Sequence, residues 1–109
     1  GTQGLRAVHQ TIEHARQLNP KLRRLGHLIS RSDRRLLIHR AYEQRVRELY
    51  QGNVLETVVP EASAFKVSLA SRSPVEFDMP NSLAAKLTRE LTREILDRID
   101  EKNTSLKVA

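Results

Sequence analysis

The sequence predicts a helix-rich α/β fold with two to three short strands, and three observations lead to that prediction. The first is the run L-G-H-L-I-S-R-S-D-R-R, from Leu25 to Arg35. The second is V-L-E-T-V-V-P-E, from Val54 to Glu61, and the third is the basic helical stretch that joins the two runs. Strand, helix, strand is the order of a parallel sheet, because parallel strands need a long crossover connection.

Periodicity defines the first two elements. Apolar residues at helical spacing predict a helix from Gln3 to Leu18. Asn19-Pro20 should end it, because a residue before proline is disfavoured in the helical region. A buried strand is expected from Arg24 to Ser30, where Gly26 would allow a neighbouring group to approach closely.

The next two elements have clear ends. Ser32 or Asp33 is expected to cap a basic helix that runs to about Gln51, since a short side-chain oxygen can accept the free N–H groups of a first turn. The second strand is expected from Val54 to Val59. Pro60 should end that strand because it cannot donate a hydrogen bond to the sheet.

The remaining third of the chain is predicted to be a loop followed by a long helix. Residues 61–73 are interpreted as a small-residue loop with one helical turn, and Pro74 to Phe77 as a short extended segment. Ser82 suits the start of a helix whose leucines and isoleucines recur as far as about Glu101. The interleaved Glu, Asp and Arg residues of this helix are interpreted as a solvated, salt-bridged face.

Composition limits the class of protein. The 109 residues allow one small domain, expected over residues 1–102 and followed by a flexible tail over 103–109. No cysteine is present, which excludes disulfides and thiol chemistry in this chain. The beginning of the chain lacks a signal-peptide pattern, so we expect a cytoplasmic protein.

The charge is uneven along the chain. Its net value is +6, with eleven Lys and Arg against four Asp and Glu in residues 1–51 and eight against nine in residues 52–109. Such an asymmetry is typical of a face that meets phosphate groups, although a merely solvated basic surface explains it equally well.

Most catalytic motifs are absent from this sequence. The four glycines are scattered, so no phosphate-binding G-x-x-x-x-G-K-[ST] or dinucleotide-binding G-x-G-x-x-G exists in it. The four histidines form no metal-ligand pair, and the serines of residues 61–73 lie outside any G-x-S-x-G. Two loops remain, Ser30 to Asp33 and Pro60 to Ser63, because ligands in open α/β sheets bind at the carboxyl ends of strands. Ordinary turn chemistry is the simpler explanation of both loops.

The residues from Leu5 to Ile99 resemble the C-terminal part of the ParA/Soj-type chromosome and plasmid partitioning ATPases, which are relatives of MinD. A family strand of the form G-[IV]-L-L-T-M-x-D-x-R corresponds to G-H-L-I-S-R-S-D-R-R here. The family's T-[IV]-I-P strand, its proline-containing loop and its acidic turn correspond without a gap to the segment that begins T-V-V-P-E. In register with the family are Gly26, Asp33, Arg35, Thr57, Pro60, Pro74, Asp78 and Pro80. The family's S-E-A-P-S-x-G-K-P loop is replaced by K-V-S-L-A-S-R-S-P, so its Glu, Gly and Lys are missing.

The resemblance implies a partial three-layer, parallel-sheet P-loop NTPase-like fold, namely its C-terminal half. The strand that carries the phosphate-binding loop would neighbour the Leu25 strand, so that edge is expected to be open here. The resemblance also implies that the two strand ends contact the adenine of ATP. The residues implied are Ser30, Arg31, Pro60 and Glu61.

The resemblance further implies DNA binding and a role in segregation. Arg35 would contact DNA phosphates without reading sequence, with Arg40, Lys66 and Arg72 as additional candidates. Partners would be non-specific DNA, a ParB-like centromere-binding protein and further copies of the chain, on the bacterial nucleoid and without a membrane. ATP and Mg²⁺ belong to the intact family members. No catalytic or metal-binding residue is predicted here, and we expect no ATP hydrolysis by this chain alone.

Two alternatives stay open. The chain could be a stand-alone interaction or regulatory module derived from a ParA/MinD-like ATPase. It could also be the C-terminal half of a MinD or iron–sulfur carrier relative. The tail T-S-L-K-V-A is too short and too weakly apolar for the membrane helix of a MinD protein.

Overall fold

A computed structural model describes the backbone of residues 2–108 and the side chains of residues 4–104. Along the chain it contains α1 (Thr2–Leu18), β1 (His27–Ser32), α2 (Leu37–Tyr50), a 3₁₀ turn (Gln51–Asn53), β2 (Val54–Pro60), α3 (Ser63–Ser71), α4 (Val75–Asp78) and α5 (Leu83–Val108). The prediction of a helix-rich α/β chain with a parallel strand pair is therefore confirmed. The three-layer P-loop NTPase-like fold stays a prediction.

The sheet in the described part of the chain consists of β1 and β2, which pair in parallel. Ile29 lies opposite Val58 and Ser30 opposite Val59. The register shifts twice, once between His27 and Ile29 and again after Ser30. The second shift places an extra residue in β1 at its carboxyl end, which matters for the candidate site.

The prediction that Pro74 to Phe77 is extended is wrong, because a helix runs from Val75 to Asp78. The short helix α4 begins after Pro74, whose carbonyl accepts hydrogen bonds from the N–H groups of Phe77 (3.0 Å) and Asp78 (3.2 Å). Proline at the start of a helix loses no hydrogen bond. The acidic side chains of Glu76 and Asp78 also suit a first turn, where the helix dipole favours negative charge.

Residues 61–73 are also more helical than predicted, since α3 occupies most of this segment. No glycine or proline interrupts it, and it ends at Arg72, which adopts the left-handed conformation (φ 53°). The N–H of Ser73 then donates to the carbonyl of Ser68 across that turn. The helix lacks a strong apolar stripe, and for that reason its sequence resembles a loop.

The predicted cap of α2 is wrong, whereas the predicted cap of α5 is confirmed. Ser32 is the last residue of β1 and is buried, and Asp33 lies in the turn before Leu37, where α2 begins. At α5, the Ser82 hydroxyl accepts a hydrogen bond from the N–H of Ala85 (3.1 Å). The helix then continues to Val108, past its predicted end. Flexibility of residues 103–109 stays a prediction, and Ala109 lies outside the described residues.

Two small apolar clusters form the core. One joins Ile29, Val54 and Val58 of the sheet to Val46 of α2, with Leu5 and Tyr50 packed against it. The other joins α4 to the start of α5 and consists of Val75, Ala84 and Ala85. No large side chain of the described residues is completely buried. Much apolar surface therefore stays exposed in this chain.

Arg98 of α5 connects the beginnings of both strands. Its guanidinium donates to the carbonyl oxygens of Leu25 (3.2 Å), Gly52 (3.1 Å) and Val54 (2.9 Å). These carbonyls belong to the segment before β1, the turn after α2 and the first residue of β2. The prediction that this face of the helix is salt-bridged is confirmed at Arg98, which pairs with Glu94, but the prediction that it is solvated is wrong there, because hydrogen bonds attach Arg98 to the sheet.

Glu94, one turn earlier on α5, binds the backbone of β2 where the register between the strands shifts. Its carboxylate accepts hydrogen bonds from the backbone N–H groups of Glu56 (2.6 Å) and Thr57 (2.9 Å), and it pairs with Arg98 at 3.4 Å. Burial alone would raise the pKa of Glu94, but the two backbone donors and the charge of Arg98 together hold it below the usual value. Glu94 therefore attaches α5 to β2 as a carboxylate.

Helix α1 is attached through a cluster of rings. The Nε2 atom of His9 and the hydroxyl of Tyr50 are 3.0 Å apart and share a hydrogen bond. The rings of Tyr50 and His27 lie with centroids 4.3 Å apart. A guanidinium N–H of Arg24 donates to Nε2 of His27, which opposes protonation of that nitrogen. Burial, followed by the nearby charges of Arg24 and His9, lowers the pKa of His27.

Replacing Gly26 with alanine should destabilise the fold by about 1–3 kcal/mol. The close approach predicted for this glycine is confirmed: an added Cβ would lie 2.6 Å from Leu55 Cδ1 and 3.1 Å from the carbonyl oxygen of Asn53. Chemical denaturation of Gly26→Ala measures the effect. Gly4→Ala is the matched control, because an added Cβ meets nothing within 4 Å there and alanine favours a helix. Equal stability of the two variants would contradict the close approach.

Acidification should weaken the packing of α1. Because the folded state lowers the pKa of His27, the unfolded chain binds a proton more readily, and the free energy of unfolding should fall as the pH drops below about 6.5. Denaturation midpoints measured between about pH 7.5 and pH 5.5 test this. His27→Gln should flatten this dependence, whereas the same change at the exposed His14 should not. An unchanged slope in His27→Gln would refute the explanation.

Candidate functional site

The carboxyl ends of β1 and β2 meet at one edge of the sheet. The register shift after Ser30 makes Arg31 an extra residue in β1, and its backbone is left-handed (φ 55°). A bulge of this kind redirects a side chain. The Nε–H of Arg31 accordingly donates to Glu61 at 3.2 Å, just beyond the end of β2. Two of the residues implied by the family resemblance are therefore in direct contact.

The other two implied residues flank this ion pair. Ser30 lies opposite Val59 and is exposed, and Pro60 lies opposite Ser32. The carbonyl of Ser32 accepts a hydrogen bond from the N–H of Glu61 (3.0 Å), which holds the two strand ends together beyond the bulge. The structure thus brings Ser30, Arg31, Pro60 and Glu61 to one edge. Whether they contact a nucleotide stays a prediction.

Arg35 projects from the turn that follows β1. The Asp33 carboxylate accepts hydrogen bonds from the backbone N–H of Arg35 (3.0 Å) and from its guanidinium, at 3.0 Å from Nε and 2.8 Å from Nη2. The side chain of Arg35 is 90% exposed, so its remaining donors face solvent. Hydrogen bonds from Arg35, aided by its charge, lower the pKa of Asp33 to about 2. Asp33 therefore stays ionised over the whole physiological range.

The other predicted DNA-binding residues lie on two different helices. Arg40 is exposed on α2 and shares a shallow depression with Arg34, and the ion pair of Glu43 with Arg47 lies alongside. Lys66 is exposed on α3, and Arg72 is exposed at the carboxyl end of that helix. The structure groups Arg40 with Arg34, whereas Lys66 and Arg72 belong to the part of the chain that packs on α4.

A groove of about 850 Å³ follows the edge of β1 that faces away from β2. Its walls come from α1, β1 and α2, and apolar side chains predominate in it, among them Leu5, Leu28 and Ile38. Leu28 is 44% exposed and Ile38 is 73% exposed. Within residues 2–108, β1 pairs with β2 alone, so its other edge is open, as the family resemblance predicted.

Two features of the described residues bear on possible functions. None of the helices formed by residues 2–108 combines the length and the apolar character needed to cross a bilayer. Among residues whose side chains are described, no three His, Asp or Glu residues are grouped as metal ligands.

Sequence reasoning overlooked His39 at the carboxyl end of β1, and it assigned Ser32 to a loop or a helix cap rather than to a buried strand position. Ser32 is buried at the end of β1, and the Nδ1 atom of His39 accepts a hydrogen bond from the N–H of Asp33 (2.9 Å). The only sequence signal for His39 is its place in the first turn of α2, directly after the R-S-D-R-R turn. That signal is weak, because a histidine at such a position is usually a surface residue.

The comparisons with known proteins give one named relative. No protein-family model matches the chain. An uncharacterized protein present in two strains of Mycobacterium tuberculosis is 34% identical over 96 residues, which is 87% of this chain and 30% of that protein. The chromosome-partitioning ATPase Soj of Thermus thermophilus is 31% identical over 106 residues, which is 91% of this chain and 40% of Soj.

The chain is a distant relative of Soj. The similarity to Soj extends along almost the whole chain, and it agrees with the resemblance recognised in the two strands. The chain spans less than half the length of each curated relative that it matches.

Proposed function

We propose that this chain is the C-terminal part of a ParA-type partitioning ATPase, which acts in chromosome or plasmid segregation on the bacterial nucleoid in the cytoplasm. One observation carries the proposal: the similarity to Soj covers 91% of the chain. The parallel strand pair, with an open edge and polar carboxyl ends, supports the same assignment, since ligands of open α/β sheets bind at such ends. A larger P-loop NTPase-like sheet would continue from the open edge of β1.

In this proposal the strand ends form the base side of an ATP site. Ser30 and Pro60 would contribute mainly backbone contacts, and the ion pair of Arg31 with Glu61 would border the adenine. The residues described here would supply that part of a nucleotide site alone. They offer neither a phosphate-binding loop nor a group of carboxylates for Mg²⁺, so both would come from sequence outside this chain.

DNA binding is the second part of the proposal. Arg35 would donate to a phosphate oxygen, because its guanidinium is exposed and directed away from the body of the protein by the turn at Asp33. Arg40 adds charge from α2, and Lys66 and Arg72 add it from α3. Phosphate contacts position a protein on DNA without selecting a sequence. A ParB-like protein would be the partner that controls this state.

Self-association of the isolated chain, in which no further strand continues the sheet from β1, is the third part. The groove beside β1 exposes apolar side chains next to a strand edge that pairs with no other strand of residues 2–108, a combination that favours pairing with another strand. A second copy of the chain could supply that strand. Two copies related by a two-fold axis would bring their β1 strands together antiparallel.

Arg35→Glu should weaken DNA binding uniformly across sequences. Wild-type affinity should fall steeply with salt, because each neutralised phosphate releases counterions, and the substitution should reduce the slope of log K against log salt by at most about 0.9. Fluorescence anisotropy with two unrelated duplexes at several salt concentrations measures both quantities. Arg93→Glu, the same charge change at an exposed position of α5, is the control. Equal losses in the two variants would show that net charge alone matters, and the Arg35 contact would be abandoned.

The isolated chain should associate through the groove. Leu28→Lys should give a monomer, since a charged side chain at an open strand edge opposes pairing. Sedimentation velocity over a wide concentration range measures the assembly. Leu18→Lys is the matched control, because Leu18 is 90% exposed at the end of α1 and does not line the groove. A wild-type chain that stays monomeric at high concentration would refute this part of the proposal.

One alternative function fits the same structure. The chain could be an interaction or regulatory module related to these ATPases, acting through the groove without binding DNA. Salt-independent or undetectable DNA binding, together with assembly that Leu28→Lys abolishes, would favour this alternative.

A further inference from the structure

The Asp33 carboxylate engages Arg35 through both its backbone and its side chain. Oδ1 accepts from the backbone N–H and from Nε, each at 3.0 Å, and Oδ2 accepts from Nη2 at 2.8 Å. Only 20% of the Asp33 side chain is exposed, compared with 90% of the Arg35 side chain. The acid thus lies on the protein side of the pair, and the guanidinium lies on the solvent side.

The backbone of Asp33 is held by hydrogen bonds at both its N–H and its carbonyl group. Its N–H donates to Nδ1 of His39 at 2.9 Å, which ties the turn to α2. Its carbonyl accepts from the N–H of Leu36 at 3.0 Å, which closes the turn. An exposed arginine ordinarily samples many rotamers, and holding it in one of them lowers the entropy lost when it binds a ligand.

We propose that Asp33 is a positioning residue that sets how strongly Arg35 binds a phosphate group of DNA. Its oxygens orient the guanidinium, and its negative charge weakens the attraction of that guanidinium for phosphate. This inference rests on the proposed role of Arg35 in DNA binding. It adds that the negative charge of Asp33 keeps the affinity of that contact low.

The geometry leaves room for a phosphate. A guanidinium has five N–H donors, and Asp33 takes two of them. The other three N–H groups face solvent and can donate to a phosphate oxygen without breaking the ion pair. Because the charge of Arg35 is already compensated, such a contact releases fewer counterions than a free arginine would.

Two substitutions of Asp33 separate orientation from charge. Asp33→Asn retains an oxygen that can accept from the backbone N–H of Arg35 but removes the charge, so it should bind a DNA duplex about two- to fivefold more tightly than wild type. The slope of log K against log salt should steepen by up to about 0.9. Asp33→Ala removes both the oxygen and the charge, so it should bind more weakly than Asp33→Asn.

Glu90→Gln is the control, since it removes one negative charge from an exposed position on α5, away from this turn. Asp33→Asn should exceed its effect, and that excess should vanish when Arg35 is also changed to Gln. Thermal unfolding of every variant verifies that each is folded. An Asp33→Asn variant that binds like Glu90→Gln would overturn the proposed effect of charge, and an Asp33→Ala variant that binds as tightly as Asp33→Asn would overturn the proposed orientation.

The same series distinguishes this inference from the proposed function. If Arg35→Gln leaves DNA binding unchanged, the contact of Arg35 with DNA is wrong, and the role of Asp33 fails with it. If Arg35→Gln weakens binding but Asp33→Asn has no effect of its own, the proposed function stands and the inference about Asp33 is wrong.

Discussion

The attachment of α5 to the sheet is the interaction on which the rest of this structure depends. Arg98 gathers carbonyl oxygens from three separate segments, and Glu94 binds two N–H groups of β2. Both side chains are largely buried, with 19% and 17% of their surface exposed, so water competes weakly for the hydrogen bonds at Leu25, Val54 and Thr57. With only small apolar clusters available, these polar contacts determine where the strands begin.

The position of the strand beginnings decides what happens at their other ends. Because Arg98 fixes the carbonyls at Leu25 and Val54, the two strands reach the carboxyl edge of the sheet in a set relation. The extra residue Arg31 then lies opposite no residue of β2, and its side chain turns toward Glu61. The candidate nucleotide edge therefore depends on the register along the whole strand pair, from the Arg98 contacts to the bulge at Arg31.

Local signals predicted part of this fold, and long-range contacts determined the rest. The range of α1, the beginning of β2 and the Ser82 cap follow from periodicity, an apolar run and a capping hydroxyl. The helices α3 and α4 were missed, because small residues and a Ser-Pro pair give the same pattern in a loop and in a short helix.

The candidate site was likewise predictable where it depends on local signals and not where it depends on long-range contacts. That the two strand ends share an edge follows from parallel pairing alone, and the four implied residues do lie there. The Arg31 bulge depends on the register between β1 and β2, and the sequence of β1 alone does not specify that register. The contact of His39 with the Asp33 turn likewise depends on where α2 begins, and the wrong cap prediction placed that beginning too early.

Glu94 has a consequence for the number of molecules that can join by strand pairing. A sheet with two open edges can add copies at both sides without limit, as a filament does. Here Glu94 places a carboxylate against two backbone N–H groups of β2, and a charge beside a strand opposes the docking of a further strand. Pairing would therefore favour the free edge of β1, and an assembly built by pairing β1 with β1 would close at two subunits.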